Sequence, residues 1–285
     1  MKKNLIITAS DSKYYDFVKN IWLKSLKDNV NLKDIDILIL DYGFTEEQRQ
    51  DLIKQGIKIY SCKKDGAVVI IRYRDCYSYL KDKKYKTLLA CDSDLIFQDD
   101  ISELFKRDID QIKTVCEDIA PPMNEFVFSN KVFSNELTKE MRQILKAEKM
   151  VNGGMIVAPR EKFLQICQSM NNLIQNKSLF GPDQTLLNYL LYKQGFLKLD
   201  KTYNFVLTTV YEGFNIENGV FYDIAGKKIK IVHNAGGSNI FRPVDNFGYG
   251  PEYNKKRFIT YHLLRIFYRM NFLTNLFLRT LGFFK

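Results

Sequence analysis

Thr87-Leu88-Leu89-Ala90-Cys91-Asp92-Ser93-Asp94 decides the fold reading. Its first five residues are apolar or small and β-compatible, as in a strand buried on both faces. The stretch then turns abruptly acidic. Residues two apart in an extended segment point the same way, so Asp92 and Asp94 share a side. In open α/β sheets, ligands sit beyond the carboxyl ends of the strands, where these acids stand. Two carboxylates side by side repel unless a cation joins them. A hard ion, Mg²⁺ or Mn²⁺, bridging to a diphosphate satisfies both charges. The bland alternative is a solvated acidic turn, extended by Asp99 and Asp100.

Outward from that stretch, strand and helix signals alternate through the first 100 residues. Asn4 to Ala9, Ile35 to Leu40 and Ile57 to Tyr60 read as strands. Tyr14 to Leu26 and Tyr73 to Leu80 read as helices, and Thr45-Glu46-Glu47-Gln48 is a capping box opening another. This alternation predicts an α/β fold with a mixed, mostly parallel sheet between helices. Further on, Glu136 to Lys149, Glu161 to Ile174 and Asp183 to Tyr192 are predicted helices. Met155 to Ala158 and Ile229 to His233 are predicted strands.

Three later motifs carry candidate chemistry. His233 ends a strand before Asn234-Ala235-Gly236-Gly237, where it can serve as a third metal ligand or as a structural histidine. Asn152-Gly153-Gly154 lets a ligand approach the backbone closely, or is an ordinary turn. Asp183 of Gly181-Pro182-Asp183-Gln184 stands at a helix start, where an N-cap is the default role.

Composition bounds the rest. The chain has 285 residues, 46% hydrophobic and 27% charged, enough for a sizeable core and too ordinary for disorder or a coiled coil. Its five cysteines form no metal-type spacing and read as reduced thiols of a cytoplasmic protein. Leu5-Ile6-Ile7 is too short for a signal-peptide core. No stretch reaches the roughly 18 uncharged apolar residues of a membrane span.

The net charge is +10, and seven cations with no acid fall within residues 255–285. Basicity confined to a tail argues against a nucleic-acid face. At about 100° per residue, His262, Arg265, Arg269 and Arg279 share one arc, with Leu263, Ile266, Phe267, Met270, Phe277, Leu281 and Phe284 opposite, and Phe272 and Leu276 break the pattern. We expect residues 251–285 to be a basic amphipathic tail on an anionic membrane, at the inner face of the cytoplasmic membrane, behind a catalytic domain of residues 1–250. A core-packed helix or a dimer contact is the alternative.

Taken in order, Thr8-Ala9-Ser10-Asp11 with Tyr14, Asp92-Ser93-Asp94, Asn152-Gly153-Gly154, Asp183-Gln184 with Leu187-Asn188, and His233 with Gly236 resemble family 8 glycosyltransferases of the GT-A fold, the bacterial lipopolysaccharide and glycogenin-like enzymes. The resemblance spans about residues 4–243. It implies a Rossmann-like sheet, a UDP-sugar donor, Mn²⁺ or Mg²⁺, a glycan or lipid-linked acceptor, and retention at the anomeric carbon. It implies that Ala9, Asp11 and Tyr14 hold the nucleoside, and that Asp92, Asp94 and His233 hold the metal with Ser93 between the two acids. Asn152 and Asp183 would bind the donor sugar, with Gln184 near the anomeric carbon. Gly236 would face the diphosphate, Arg72 or Arg74 would match the family's arginine, and Glu117 or Asp118 would reach the sugar. The family's closing motif, His-x-x-Gly-x-x-Lys-Pro-Trp, is broken: Asn239 replaces the lysine and the tryptophan is missing. Either Arg242, the next cation, takes over the charge, or the loop works differently. A nucleotidyltransferase is disfavoured, because residues 8–14 lack the Gly-rich, Arg-bearing phosphate loop it needs. A non-catalytic, membrane-tethered relic is disfavoured by the intact acids and His233.

Overall fold

The structure is a computed structural model. It describes residues 2–119, 132–210, 213–235 and 248–252, together with residues 263, 266 and 270. The proposed tail is otherwise outside the described residues, as are Gly236, Asn239 and Arg242.

Among the described residues, seven strands form the main sheet, in the order β3-β2-β1-β4-β7-β6-β8. They are β1 (Asn4–Ser10), β2 (Ile35–Asp41), β3 (Lys58–Ser61), β4 (Thr87–Cys91), β6 (Lys113–Cys116), β7 (Val151–Pro159) and β8 (Leu197–Lys198). β3, β2, β1 and β4 run parallel, whereas β7 runs antiparallel to both β4 and β6. The expected mixed, mostly parallel α/β sheet is therefore present.

Alternation along the strands fills two cores. Leu5, Ile7, Leu38, Leu40 and Leu88 point to one face, and Ile6, Ile37, Ile39 and Leu89 to the other. The first face is covered by α3 (Val68–Leu80), α4 (Asn135–Leu145), α5 (Arg160–Leu173) and α6 (Pro182–Gln194). The second is covered by α1, residues 15–29, whose middle is π-helical over Val18–Leu23, and by α2 (Glu46–Lys54). The capping box of α2 is formed in full, Gln48 N–H donating to Thr45 Oγ1 and Thr45 N–H to Gln48 Oε1.

A second sheet, β5-β12-β9, joins β5 (Leu95–Phe97), β12 (Ile231–His233) and β9 (Phe205–Val206). A hairpin, β10 (Phe214–Glu217) and β11 (Val220–Asp223), packs its Phe214 and Phe221 under that sheet.

Several boundaries differ from the sequence reading: α4 ends at Leu145 rather than Lys149, and β12 begins at Ile231 rather than Ile229. α3 begins at Val68, five residues before Tyr73. Its opening Val68-Val69-Ile70-Ile71 has strand propensity, but burying Ile70 and Ile71 against the first core outweighs that preference. Asn152-Gly153-Gly154 is not a turn before a strand but lies inside β7, between Val151, which pairs with Cys116 of β6, and Met155, which pairs with Cys91 of β4. All five cysteines are free thiols, as expected.

Candidate metal and sugar-nucleotide site

The site is built where the chain leaves one sheet for the other. β4 ends at Cys91 in the main sheet, and β5 begins at Leu95 in the small one. Asp92, Ser93 and Asp94 are the bridge between them. β12 pairs antiparallel with β5 so that His233 stands opposite Leu95. Register alone therefore brings a residue 139 positions beyond Asp94 next to it.

His233 Nε2 faces Asp94 Oδ1 at 3.3 Å and Asp92 Oδ2 at 3.8 Å. One ligand atom from each of the three residues lies within 4.8 Å of the others. The structure thus brings together the three residues expected as metal ligands, and two oxygens with one imidazole nitrogen suit Mg²⁺ or Mn²⁺. Nε2 is buried and makes no hydrogen bond of good geometry among the described residues, so a cation would satisfy it. On its other edge, Nδ1 lies 3.0 Å from Asn204 Oδ1. Burial alone would lower the imidazole pKa, but the Asp94 and Asp92 carboxylates raise it above the usual value.

Arg72 closes the cluster from α3. Its guanidinium forms an ion pair with Asp92 Oδ1, leaving Oδ2 toward His233. Arg72 Nη2 also lies 3.5 Å from the Gly153 carbonyl. Although burial opposes its charge, Asp92 and Asp183 hold Arg72 firmly protonated. Asp183, at the start of α6, is pushed up to about 6 by burial; Arg72 works against that rise and Asp92 adds to it.

Asn152 and its two glycines lie against the same corner. Asp92 N–H donates to the Gly154 carbonyl at 2.9 Å. A Cβ on Gly154 would collide with the His233 ring and sit 2.7 Å from Asn152 Oδ1, so only glycine fits there. Gly154 N–H donates to Asn152 Oδ1 at 2.8 Å. Gln184 is spent on the backbone of β7, with its Nε2 donating to the Val151 carbonyl and its Oε1 accepting from Gly153 N–H at 3.2 Å. Asn188 holds both polar groups of Val151 in the same way.

The nucleoside candidates line the end of β1. Ala9, Thr8, Arg72, Ala90, Cys91 and Gly153 share one cleft. Asp11 caps the turn Ser12–Tyr14 and pairs with Lys64 at 2.8 Å. Burial works against its ionisation, but Lys64 and the Lys13 amide bring its pKa below the ordinary value. Tyr14 stands half in solvent, 45% exposed.

Not every expected residue joins this cluster. Arg74 is engaged elsewhere, by Asp75 at 2.8 Å, Asp65 at 2.7 Å and the Lys63 carbonyl. Asp118 is tied to Lys149 and Lys201. Glu117, by contrast, does reach the cluster: it turns inward, accepts from the Thr209 hydroxyl, interacts with Asn152 and His233, and has its pKa raised by burial. Sequence reasoning missed Asn204 and Thr209. Both lie in an irregular stretch with no periodicity to mark them.

The family model described as "Glycosyl transferase family 8" matches residues 76–238, more than half of the chain. No curated protein matches. Among solved structures, glycosyltransferase GlyE of Streptococcus pneumoniae TIGR4 is similar at 16% identity and a TM-score of 0.54, covering 98% of this chain. This chain spans 64% of that protein's length. Galactosyltransferase LgtC, in complex with donor and acceptor sugar analogues, is similar at 15% identity and a TM-score of 0.55, with 92% of this chain and 95% of LgtC covered. An active-site mutant of LgtC gives 14% identity and a TM-score of 0.56, with 91% and 94% covered. At such identities these likenesses speak for the fold.

Proposed function

The chain belongs to glycosyl transferase family 8 and is a glycosyltransferase, and on that premise we propose that it moves a sugar from a UDP-sugar donor to a hydroxyl of a cell-surface glycan or glycolipid, with retention. The observation that carries this reading is the Asp92, Asp94 and His233 cluster at the strand ends. Mn²⁺ or Mg²⁺ held there supplies Lewis-acid stabilisation to the departing diphosphate. LgtC was solved with both a donor and an acceptor sugar analogue, which supports two sugar sites in this fold.

In this reading, Ala9, Asp11 and Tyr14 receive the nucleoside. Asp92 divides its two oxygens between Arg72 and the cation site. Asp183 and Asn152 hydrogen-bond the donor sugar, and a pKa near 6 lets Asp183 act as donor or acceptor close to neutrality. Gln184, whose amide already serves Val151 and Gly153, fixes the floor beneath the sugar rather than attacking it. With no free carboxylate assigned as nucleophile, the acceptor hydroxyl attacks from the face the diphosphate leaves. Arg242 supplies the charge that Asn239 lacks, with Gly236 presenting its amide to the diphosphate.

Residues 251–285 form a peripheral membrane anchor in this reading. Residues 263, 266 and 270 are helical, and Leu263, Ile266 and Met270 are exposed, as an apolar face awaiting a surface would be. No helix among the described residues is long and apolar enough to cross a membrane. Co-sedimentation with anionic vesicles that is unchanged after truncation at Pro251 would refute this anchor.

The test of the activity is release of free nucleotide diphosphate from a panel of nucleotide sugars. UDP release from one donor, stimulated by Mn²⁺ and abolished by EDTA, is the expected result. Undiminished release in excess EDTA contradicts the metal-dependent reading.

A further inference from the structure

Asn204 follows the short turn Lys201–Tyr203 and precedes β9, the strand beside β12. It is 2% exposed. Its Oδ1 lies 3.0 Å from His233 Nδ1. An amide oxygen only accepts, so this contact requires a proton on Nδ1. The ring's remaining nitrogen, Nε2, is the one turned toward Asp94 and Asp92. On the ring's face, Gly154 leaves no room for a Cβ, which would lie 2.9 Å from Nδ1 and overlap Cε1. The ring is therefore pinned by contact on one face and by Asn204 on one edge.

Asn204 also pays a local cost of orientation, since its buried Nδ2 has no hydrogen-bond partner among the described residues. A buried amide kept for structure alone would have both ends satisfied. Here the end that is satisfied is the one that meets His233.

We propose that Asn204 is a positioning residue: it holds His233 with the proton on Nδ1, so that Nε2 is presented as a lone-pair ligand to the divalent cation. This rests on the reading that Asp92, Asp94 and His233 bind such a cation. Ligating histidines commonly donate their other N–H to an outer acceptor, and losing that partner typically costs about 10–100-fold in metal affinity.

The test uses the full chain labelled with ¹⁵N-histidine. The sequence has two histidines, so His262→Gln leaves His233 as the only signal. With saturating Mg²⁺ and UDP, His233 should show a protected Nδ1–H and an unprotonated Nε2. Asn204→Leu should lose that protected proton and weaken Mn²⁺ binding, followed by electron paramagnetic resonance, by about 10–100-fold. Its metal-free melting temperature should stay near wild type. Asn204→Asp keeps an acceptor and should retain the protected proton.

A cation-loaded wild type whose Nδ1–H exchanges freely would overturn the proposal, even if Asn204→Leu failed to fold. So would an Asn204→Leu protein with wild-type Mn²⁺ affinity and an intact Nδ1–H signal. A wild type that binds neither Mn²⁺ nor Mg²⁺ would instead overturn the cation reading from which the proposal starts.

Discussion

The corner around His233 and the turn that follows β1 are built on opposite plans. At the corner, His233 is 1% exposed and is fixed by strand register, by Gly154 and by Asn204. At the end of β1, a local turn presents Tyr14 at 45% exposure and Asp11 paired to a half-exposed Lys64. The corner is preorganised by contacts distant in sequence, whereas the turn is held by its neighbours and by one surface ion pair worth little. Changes at the corner should therefore alter the chemical step, and changes at the turn should alter donor affinity.

The largest effect is expected at the corner. Asp94→Asn keeps the side chain's shape and removes one charge. It should lower transfer by about 10²–10³-fold, the scale seen when one group stabilising developing charge is lost. Its circular dichroism and melting temperature should match wild type. Near-normal UDP release by this variant would make the corner an ordinary acidic turn.

Next comes the buried carboxyl behind the corner. Asp183 has a pKa of about 6 in the folded chain against an ordinary 3.8. The folded state thus holds its proton more tightly than the unfolded state. Its stabilising contribution is present below about pH 4 and is lost as pH rises through about 6. In metal-free protein, wild type should lose up to about 3 kcal/mol relative to Asp183→Asn between those limits. Denaturant midpoints at several pH values measure it, and a wild-type-minus-variant difference independent of pH would disprove the burial argument.

The smallest effect is expected at the turn. Tyr14→Ala should raise the donor KM by roughly tenfold, a loss within the 1–3 kcal/mol of base–aromatic stacking. Its kcat should barely change. A fall in kcat with unchanged KM would mean that the turn takes part in the chemistry and that the contrast with the corner is false.

The same contrast explains what was legible in the sequence. Strands β1, β2 and β4 announced themselves through apolar runs, and α2 through its capping box, because those signals are local. The Asp92-Ser93-Asp94 bridge was visible for the same reason. His233 was recognisable as a candidate only through its strand-end position, and its pairing with Leu95 depends on a register no local pattern encodes. The short strands β5, β6, β9 and β12 are set mainly by tertiary pairing, and of these only β12 was read. The start of α3 was not legible, because Val68 to Ile71 favour a strand by propensity while packing holds them in a helix. Asn204 and Thr209 carried no signal at all, since an isolated polar residue in an irregular stretch gains meaning only when the fold places it beside His233 or Glu117.

The central claim is that Asp92, Asp94 and His233 hold the divalent cation of a sugar-nucleotide transferase. Anomalous diffraction at the manganese edge, from crystals of the full chain grown with Mn²⁺ and UDP, tests it most directly. The account predicts one strong peak within about 2.5 Å of a carboxylate oxygen of Asp92, one of Asp94 and Nε2 of His233, with the diphosphate on its open side. A manganese peak elsewhere, or UDP bound in the cleft with no peak at this corner, would contradict it.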